Sequence, residues 1–282
     1  MAIDPNSAED RAVAEIQGAL AKTSVSTKRR VVEKFILAAL GSVPWVGGFI
    51  SAAASLKTDQ RGIEKDSLQT RWLEEHSKKM DRLSTALSTI AERFDNIGET
   101  IDERIQSEEY LSLVRSAFRA WDRAETDDKR RYIANLVTNA AGARICSDDV
   151  LRLFVDWLSL YHEVHFAVVR EIYKSPGATR YEIWEALYGL PARDDSAEAD
   201  LYRMIIRDLS TGGVIRQERE TTPGGRFMRK RLVRNRGPAV GTMESAFEDS
   251  KQYVLTELGK QFVHYTMNEV ARRLEGDNQS ST

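Results

Sequence analysis

A single cysteine, Cys146, occurs among the 282 residues, which excludes an internal disulfide and a zinc site built on paired cysteines. Six prolines and 17 glycines are too few for a fibrous or largely disordered chain. The 41 Lys and Arg against 43 Asp and Glu exclude a uniformly basic coat protein, so any basic surface must be local. The length predicts one large or two ordinary domains.

An early apolar segment is missing as well. The first ten residues are acidic where a secretory signal would be basic, and no apolar core follows them. A first helix is predicted from an N-cap at Ser7, with Val13, Ile16 and Leu20 on one apolar stripe. We therefore expect a cytoplasmic protein.

Sequence motifs of common catalytic sites are also missing. The chain has no Walker loop, no GxGxxG and no GxSxG. His162 and His165 are three residues apart, but they do not form an HExxH motif and no further ligand cluster follows. Cys146 has no neighbour at a spacing that would activate it as a nucleophile. We expect no enzymatic activity, no metal and no cofactor.

An uncharged stretch between Lys34 and Lys57 is the first prominent feature that is present. Gly41 and Pro44 would interrupt a single spanning helix, so the stretch predicts a helical hairpin at about residues 31–56, with Ser42 capping its second arm. Its length and its basic flank leave three interpretations open: the buried centre of a bundle, a hairpin released into a bilayer on a trigger, or a permanent span. The residues that would meet a membrane are Phe35, Leu37, Leu40, Trp45, Val46, Phe49 and Ile50.

A heptad pattern follows the hairpin. Apolar residues alternate steps of three and four over four heptads from Leu73, with His76 as one polar member, and they predict a long helix at about residues 60–105. Gly98 is the weak point of this helix. The seam predicts either an antiparallel partner within the chain or a homo-oligomer. The oligomerisation residues would be Leu83, Leu87, Ile90, Phe94, Ile97 and Ile101.

Three further helices are predicted over about residues 107–158. Ser107, Thr126 and Ser147 are each followed by two acidic residues, which is the pattern of a capped helix start.

The chain resembles a loose set of bacterial proteins that includes the abortive-infection alpha type. The resemblance spans about residues 35–270 and rests on the apolar Gly/Pro segment, the sequence DDKRRYIANLVTNAA and the sequence DWLSLYHEVHFAVVREIY. It implies a role in defence against phage and a winged-helix end, and it carries no enzymatic residues.

The last part of the chain predicts a winged helix. Short helices are expected at 181–188 and 198–209, the second with Leu201, Ile205 and Leu209 facing inward, followed by a strand from Val214. A turn at Thr222–Gly225 and a return strand at 226–234 would form the wing, and LTELG leads into the last helix. Both the order and the LTELG segment resemble bacterial winged-helix regulators.

The wing carries a local positive charge. Residues 216–236 hold eight basic side chains against two acidic ones, a net charge of +6, which suits phosphate groups. The helix at 198–209 lacks Asn and Gln and carries acids, so it is poorly suited to reading bases. The predicted nucleic-acid contacts are Arg203, Arg207, Arg226, Arg229, Lys230, Arg231 and Arg234. The alternative is a winged helix that contacts a partner protein.

Together these patterns predict a mainly α protein: a helical domain over 1–158, a winged-helix domain over 159–272 and a disordered tail over 273–282. The leading hypothesis is a non-enzymatic defence protein whose hairpin meets the inner membrane when the winged helix senses a nucleic acid or a protein. The rival is a cytoplasmic winged-helix DNA-binding regulator with a helical oligomerisation domain.

Overall fold

The computed structural model describes residues 26–58, 67–98, 101–219, 226 and 245–268. The prediction of a mainly helical chain is confirmed, because the described residues form eleven helices and one two-stranded sheet. The predicted helix from Ser7, the return strand and the tail at 273–282 lie outside the described residues, except for Arg226. The helices are α1 Ser26–Ser42, α2 Pro44–Thr58, α3 Ser67–Ile97, α4 Asp102–Gln106, α5 Glu108–Arg123, α6 Asp127–Gly142, α7 Asp148–Leu160, α8 Glu163–Lys174, α9 Arg180–Tyr188, α10 Ala197–Thr211 and α11 Glu257–Thr266.

Two compact units make up the chain. The helical unit contains the residues up to Leu160 and those from Tyr265 onward, and the second unit spans Tyr161–His264. The second unit contains the sheet, whose strands are β1 Ile215–Gln217 and β2 Tyr253–Leu255.

The heptad seam of α3 is buried inside the helical unit. Leu83, Leu87, Ile90 and Phe94 are all at most 3% exposed, since α3 packs against α6 and α2 of the same chain. In the structure, the heptad seam packs against helices of the same chain, which is one of the two kinds of partner that the pattern predicts. The six residues proposed for oligomerisation are core or partly buried positions of the helical unit.

The helix that carries this seam is shorter than predicted. It ends at Ile97, and Gly98 adopts a φ of 92°, a left-handed conformation that ends helices and that glycine adopts without strain. Ile101 is still buried, but it precedes the separate short helix α4. The prediction of one helix to about residue 105 was therefore wrong, although Gly98 marked the place where it fails.

The apolar hairpin is a bent helix pair with arms at a right angle. A bend of 94° separates the two arms, with Val43 between them and Pro44 in the first position of α2. The predicted cap is wrong, because the Ser42 hydroxyl donates to the carbonyl of Ala39, 2.6 Å away, within its own helix. We call α1 and α2 the apolar helix pair.

Capping explains where the middle helices begin. Ser107 accepts a hydrogen bond from the N–H of Tyr110, and Thr126 accepts one from the N–H of Lys129, as their sequence pattern predicted. Each cap is followed by two acidic residues that favour the helix N-terminus.

The end of α11 is fixed in the helical unit by two buried amides of α6. Asn135 donates to the carbonyl of Thr266 at 2.9 Å, and Asn139 donates to the carbonyls of Tyr265 and Asn268 at 3.0 Å. A helix C-terminus has carbonyls without partners in the helix, and these amides satisfy three carbonyls at the end of α11.

In the second unit, the LTELG segment brings α11 directly against the start of β1. Thr256 accepts a hydrogen bond from the N–H of Gly259 and donates to the carbonyl of Gly213. A Cβ on Gly259 would lie 2.1 Å from the carbonyl oxygen of Val214. Glycine is therefore required here by close approach of the backbone.

Replacing Gly259 with alanine should lower the stability of the second unit by about 1–3 kcal/mol, because backbone must move to admit the methyl group. Gly47 is the control: a Cβ there meets nothing within 4 Å, so Gly47→Ala should be neutral or stabilise α2 by up to about 1 kcal/mol. Thermal unfolding followed by circular dichroism measures both changes. Equal effects of the two substitutions would contradict this account.

Candidate nucleic-acid interface

A short antiparallel ladder forms the base of the Arg-rich segment. Arg216 in β1 lies opposite Val254 in β2, and Ile215 lies opposite Leu255. The ladder continues through a hydrogen bond from the N–H of Glu218 to the carbonyl of Gln252. The connection between the strands, residues 218–252, therefore leaves and returns at the same end of the sheet.

A third extended segment joins this sheet just before α9. The N–H of Gly177 donates to the carbonyl of Tyr253 at 2.9 Å, and the N–H of Tyr253 donates to the carbonyl of Ala178 at 3.0 Å. A bridge between Thr179 and Gln252 extends the pairing. The strand β2 thus lies between β1 and residues 177–179, a sequence in which we predicted no strand.

Three basic residues surround a cleft at the base of the connection. Arg216, Arg219 and Lys260 line this cleft of about 430 Å³ together with the single acid Glu218. Its remaining lining residues are Ile172, Tyr173, Pro176, Val254 and Leu255. The described base of the Arg-rich segment is therefore positively charged, while Arg229, Lys230, Arg231 and Arg234 lie outside the described residues.

The far end of the connection is anchored beside the start of α10. The carboxylate of Asp194 accepts hydrogen bonds from the Ser245 hydroxyl and the Ala246 N–H, both at 2.9 Å. Phe247 follows directly after Ala246, and its ring centre lies 5.0 Å from that of Trp184 and 6.0 Å from that of Tyr202. Residues 245–247 of the connection therefore lie beside the segment that precedes α10. Neither Asp194 nor Phe247 was predicted as an anchor.

The exposed side of α10 is a weak candidate for base contacts. Arg203 is held by the carboxylate of Asp200 at 2.8 Å and by the carbonyl of Asp194 at 3.0 Å. Arg207 is exposed, whereas Leu201 is 47% exposed and does not face inward as the four-residue spacing had predicted. The inward positions are Ala199, Tyr202, Ile205, Ile206 and Leu209.

The two histidines at the start of α8 are part of the packing. His165 is buried, stacks on Tyr161 at 5.1 Å and accepts a hydrogen bond from the N–H of His162 through Nδ1. In the part of the chain that the structure describes, no three His, Cys, Asp or Glu residues are grouped to hold a metal ion. Burial raises the pKa of the Cys146 thiol, which disfavours a reactive thiolate.

The residues proposed for membrane contact fall into three groups. Phe35, Val46 and Phe49 are buried, while Leu40 and Trp45 are half-buried. Leu37 is 62% exposed and Ile50 is 53% exposed. Within the described ranges, no single helix is long and apolar enough to cross a membrane, but Val31–Ser42 and Pro44–Ala52 together meet the length and composition required.

Comparison with known proteins leaves the function to be argued from the chain itself. No family model, no curated protein and no solved structure matches it. The resemblance to abortive-infection proteins therefore remains an expectation from the sequence pattern. The contacts, charges and exposed surfaces described above are the basis for the function.

Proposed function

We propose that residues 161–264 form a winged-helix module that binds the phosphate backbone of a nucleic acid, in a protein without enzymatic activity. The observation that carries the proposal is the β1–β2 ladder, which holds both ends of the Arg-rich connection at one end of the sheet. The order of elements is also that of a winged helix: three helices come first, followed by two paired strands with a long connection between them.

The distribution of charge favours binding to the phosphate backbone over recognition of base edges. Residues 216–236 carry a net charge of +6, and their described base adds Lys260 on the same cleft. Binding phosphates releases counterions from the nucleic acid, which supplies affinity without sequence specificity. On α10, Arg203 is engaged by two aspartates and Leu201 is exposed, so this helix offers few groups to base edges.

Charge reversal in the Arg-rich segment tests the proposal. Arg229→Glu, Lys230→Glu and Arg231→Glu together should weaken binding to a random-sequence DNA duplex by at least about a hundredfold at low salt. The matched control reverses three exposed basic residues of α3, namely Arg71, Lys78 and Lys79, for the same change in net charge. Fluorescence anisotropy measures both dissociation constants. If both triple variants lost the same amount of DNA affinity, binding would depend on net charge alone and not on a site in the Arg-rich segment.

A second candidate is membrane disruption by the apolar helix pair, in the manner expected of an abortive-infection protein at the inner membrane. The observation that favours it is the exposure of Leu37 and Ile50 within the uncharged stretch between Lys34 and Lys57. Full insertion would also have to remove Phe35 from its contacts with Phe94 and Phe118, at 5.1 and 6.1 Å. A trigger is therefore part of this candidate.

Dye leakage from anionic phospholipid vesicles tests this second candidate. Ile50→Asp should abolish leakage while leaving the fold intact, since Ile50 is 53% exposed. Ser51→Asp, at the exposed neighbouring position of α2, adds the same charge at a polar residue and is the control. If the protein causes no leakage with or without bound duplex DNA, the membrane candidate fails.

A further inference from the structure

A cleft of about 410 Å³ lies between α3 and α6 in the helical unit, away from the residues that carry the proposed function. Its volume falls in the range of small-molecule sites. Each helix contributes one stripe of side chains at three- and four-residue spacing, and Trp121 contributes from α5. The lining residues are Asp81, Arg82, Thr85, Ala86, Thr89, Arg93, Trp121, Asp127, Arg130, Arg131, Ala134 and Asn135.

Small side chains create the space in this cleft. Ala86 on α3 and Ala134 on α6 are both partly exposed, so neither alanine is forced by close contact of the two helices. The hydroxyls of Thr85 and Thr89 donate to the carbonyls of Asp81 and Thr85 within α3. Because these hydroxyls are satisfied by backbone, the surface of the cleft is mostly apolar.

The rim of the cleft is positively charged. Four arginines stand against two aspartates in the lining; Arg130 pairs with Asp127 and Arg131 with the nearby Asp128, each at 2.7 Å, so the donors left for a ligand are those of Arg82 and Arg93. Arg93 uses one of its five N–H donors on Asn135, at 2.7 Å. Arg82 has no ion-pair or hydrogen-bond partner within the described part of the chain. The rim therefore retains N–H donors for an anionic group.

One wall of the cleft is held in place before any ligand binds. Asn135 is buried; its oxygen accepts from Arg93, and its nitrogen donates to the carbonyl of Thr266. The guanidinium of Arg130 lies 5.6 Å from the ring centre of Trp121. This cation–π contact and the ion pair with Asp127 fix the Arg130 side chain beside the cleft.

We propose that this cleft binds a small aromatic anion, a planar ring that carries a phosphate group. The ring would lie over the apolar surface at Ala86 and Ala134, and the phosphate would accept hydrogen bonds from Arg82, one turn from Ala86 on α3. A mononucleotide has this chemistry. The site is independent of the winged-helix proposal, because it uses other residues in the other unit.

Isothermal titration of the full-length chain with AMP, adenosine and inorganic phosphate tests the proposal. AMP should bind with a dissociation constant in the range of about 10–100 μM, and adenosine and phosphate should each bind at least about tenfold more weakly. Arg82→Gln should weaken AMP binding about tenfold and leave adenosine unchanged. Arg119→Gln, an exposed arginine of α5 outside the cleft, should change neither.

A cleft-filling variant separates this site from any other site on the chain. Ala134→Phe should abolish AMP binding while the thermal unfolding curve and the binding of duplex DNA stay unchanged, because Ala134 is partly exposed. The control variant Arg119→Gln should keep the AMP affinity of the wild type. No binding of AMP at about 5 mM, equal binding of adenosine or of phosphate, or an unchanged affinity in a folded Ala134→Phe variant would each overturn the proposal.

Discussion

Replacing Phe35 with alanine should lower the free energy of unfolding of the helical unit by about 3–5 kcal/mol. The Phe35 side chain is fully buried, and its ring contacts Phe94 of α3 and Phe118 of α5 edge to face. Deleting the ring removes apolar burial and leaves a cavity that three helices cannot easily close. Urea unfolding followed by circular dichroism measures the loss.

Leu37 is the matched control two residues away on the same helix. Because this side chain is 62% exposed, Leu37→Ala should change stability by no more than about 0.5 kcal/mol. The pair of variants distinguishes a core helix from one that merely rests on the surface. A small effect of Phe35→Ala would show that α1 detaches readily and would favour the membrane candidate.

A second large effect is expected at the ion pair between α4 and α7. Asp148→Asn should lower stability at pH 7 by about 3 kcal/mol, because it leaves the mostly buried Arg104 without its counter-charge. Arg104 donates to both carboxylate oxygens of Asp148, with Nη1 at 3.0 Å from Oδ2, and its Nε donates to the carbonyl of Ala140. The guanidinium also lies 5.2 Å from the ring centre of Tyr110.

The effect of Asp148→Asn should depend on pH in a defined direction. Hydrogen bonds and charge from Arg104 lower the pKa of the Asp148 carboxyl in the folded protein. A lowered pKa contributes stability above the unfolded value of about 3.9, and this contribution is lost as the pH falls through the folded value. The difference between wild type and variant should therefore be constant from about pH 7 to 5 and shrink below about pH 4.

Asp149→Asn is the control for this pH series. Its carboxylate is 91% exposed and pairs with the partly exposed Arg152, so its removal should change stability by less than about 0.5 kcal/mol at any pH. Urea unfolding at pH 7, 5 and 3 measures both variants. A difference for Asp148→Asn that grows as the pH falls would contradict the assignment.

The helices were predictable where local chemistry decides them. Ser107 and Thr126 cap their helices as their sequence context indicates, and the Gly98 conformation ends α3 where propensity is weakest. The heptad period correctly selected the buried side of α3. It could not select the partner of that side, because an apolar seam has the same pattern against a helix of its own chain or of a second copy.

Features that depend on distant contacts were not predictable. The strand β2 was missed because it is three residues long and gains its partners from β1 and from residues 177–179. Leu201 follows a four-residue spacing yet is exposed, since Tyr202 and Ala199 pack inward and rotate the buried side of α10 by about one residue. Nothing near Asp194 in sequence indicates that it anchors Ser245.

The slope of binding against salt tests the central claim, that the second unit binds nucleic-acid phosphates through its Arg-rich segment. Anisotropy of the full-length chain on a random-sequence duplex across a salt series gives this slope, to which each neutralised phosphate contributes about 0.9. We predict a steep negative slope that becomes shallower by about 2–3 in the triple variant at 229–231. No binding at low salt, or the same slope in both proteins, would contradict the claim.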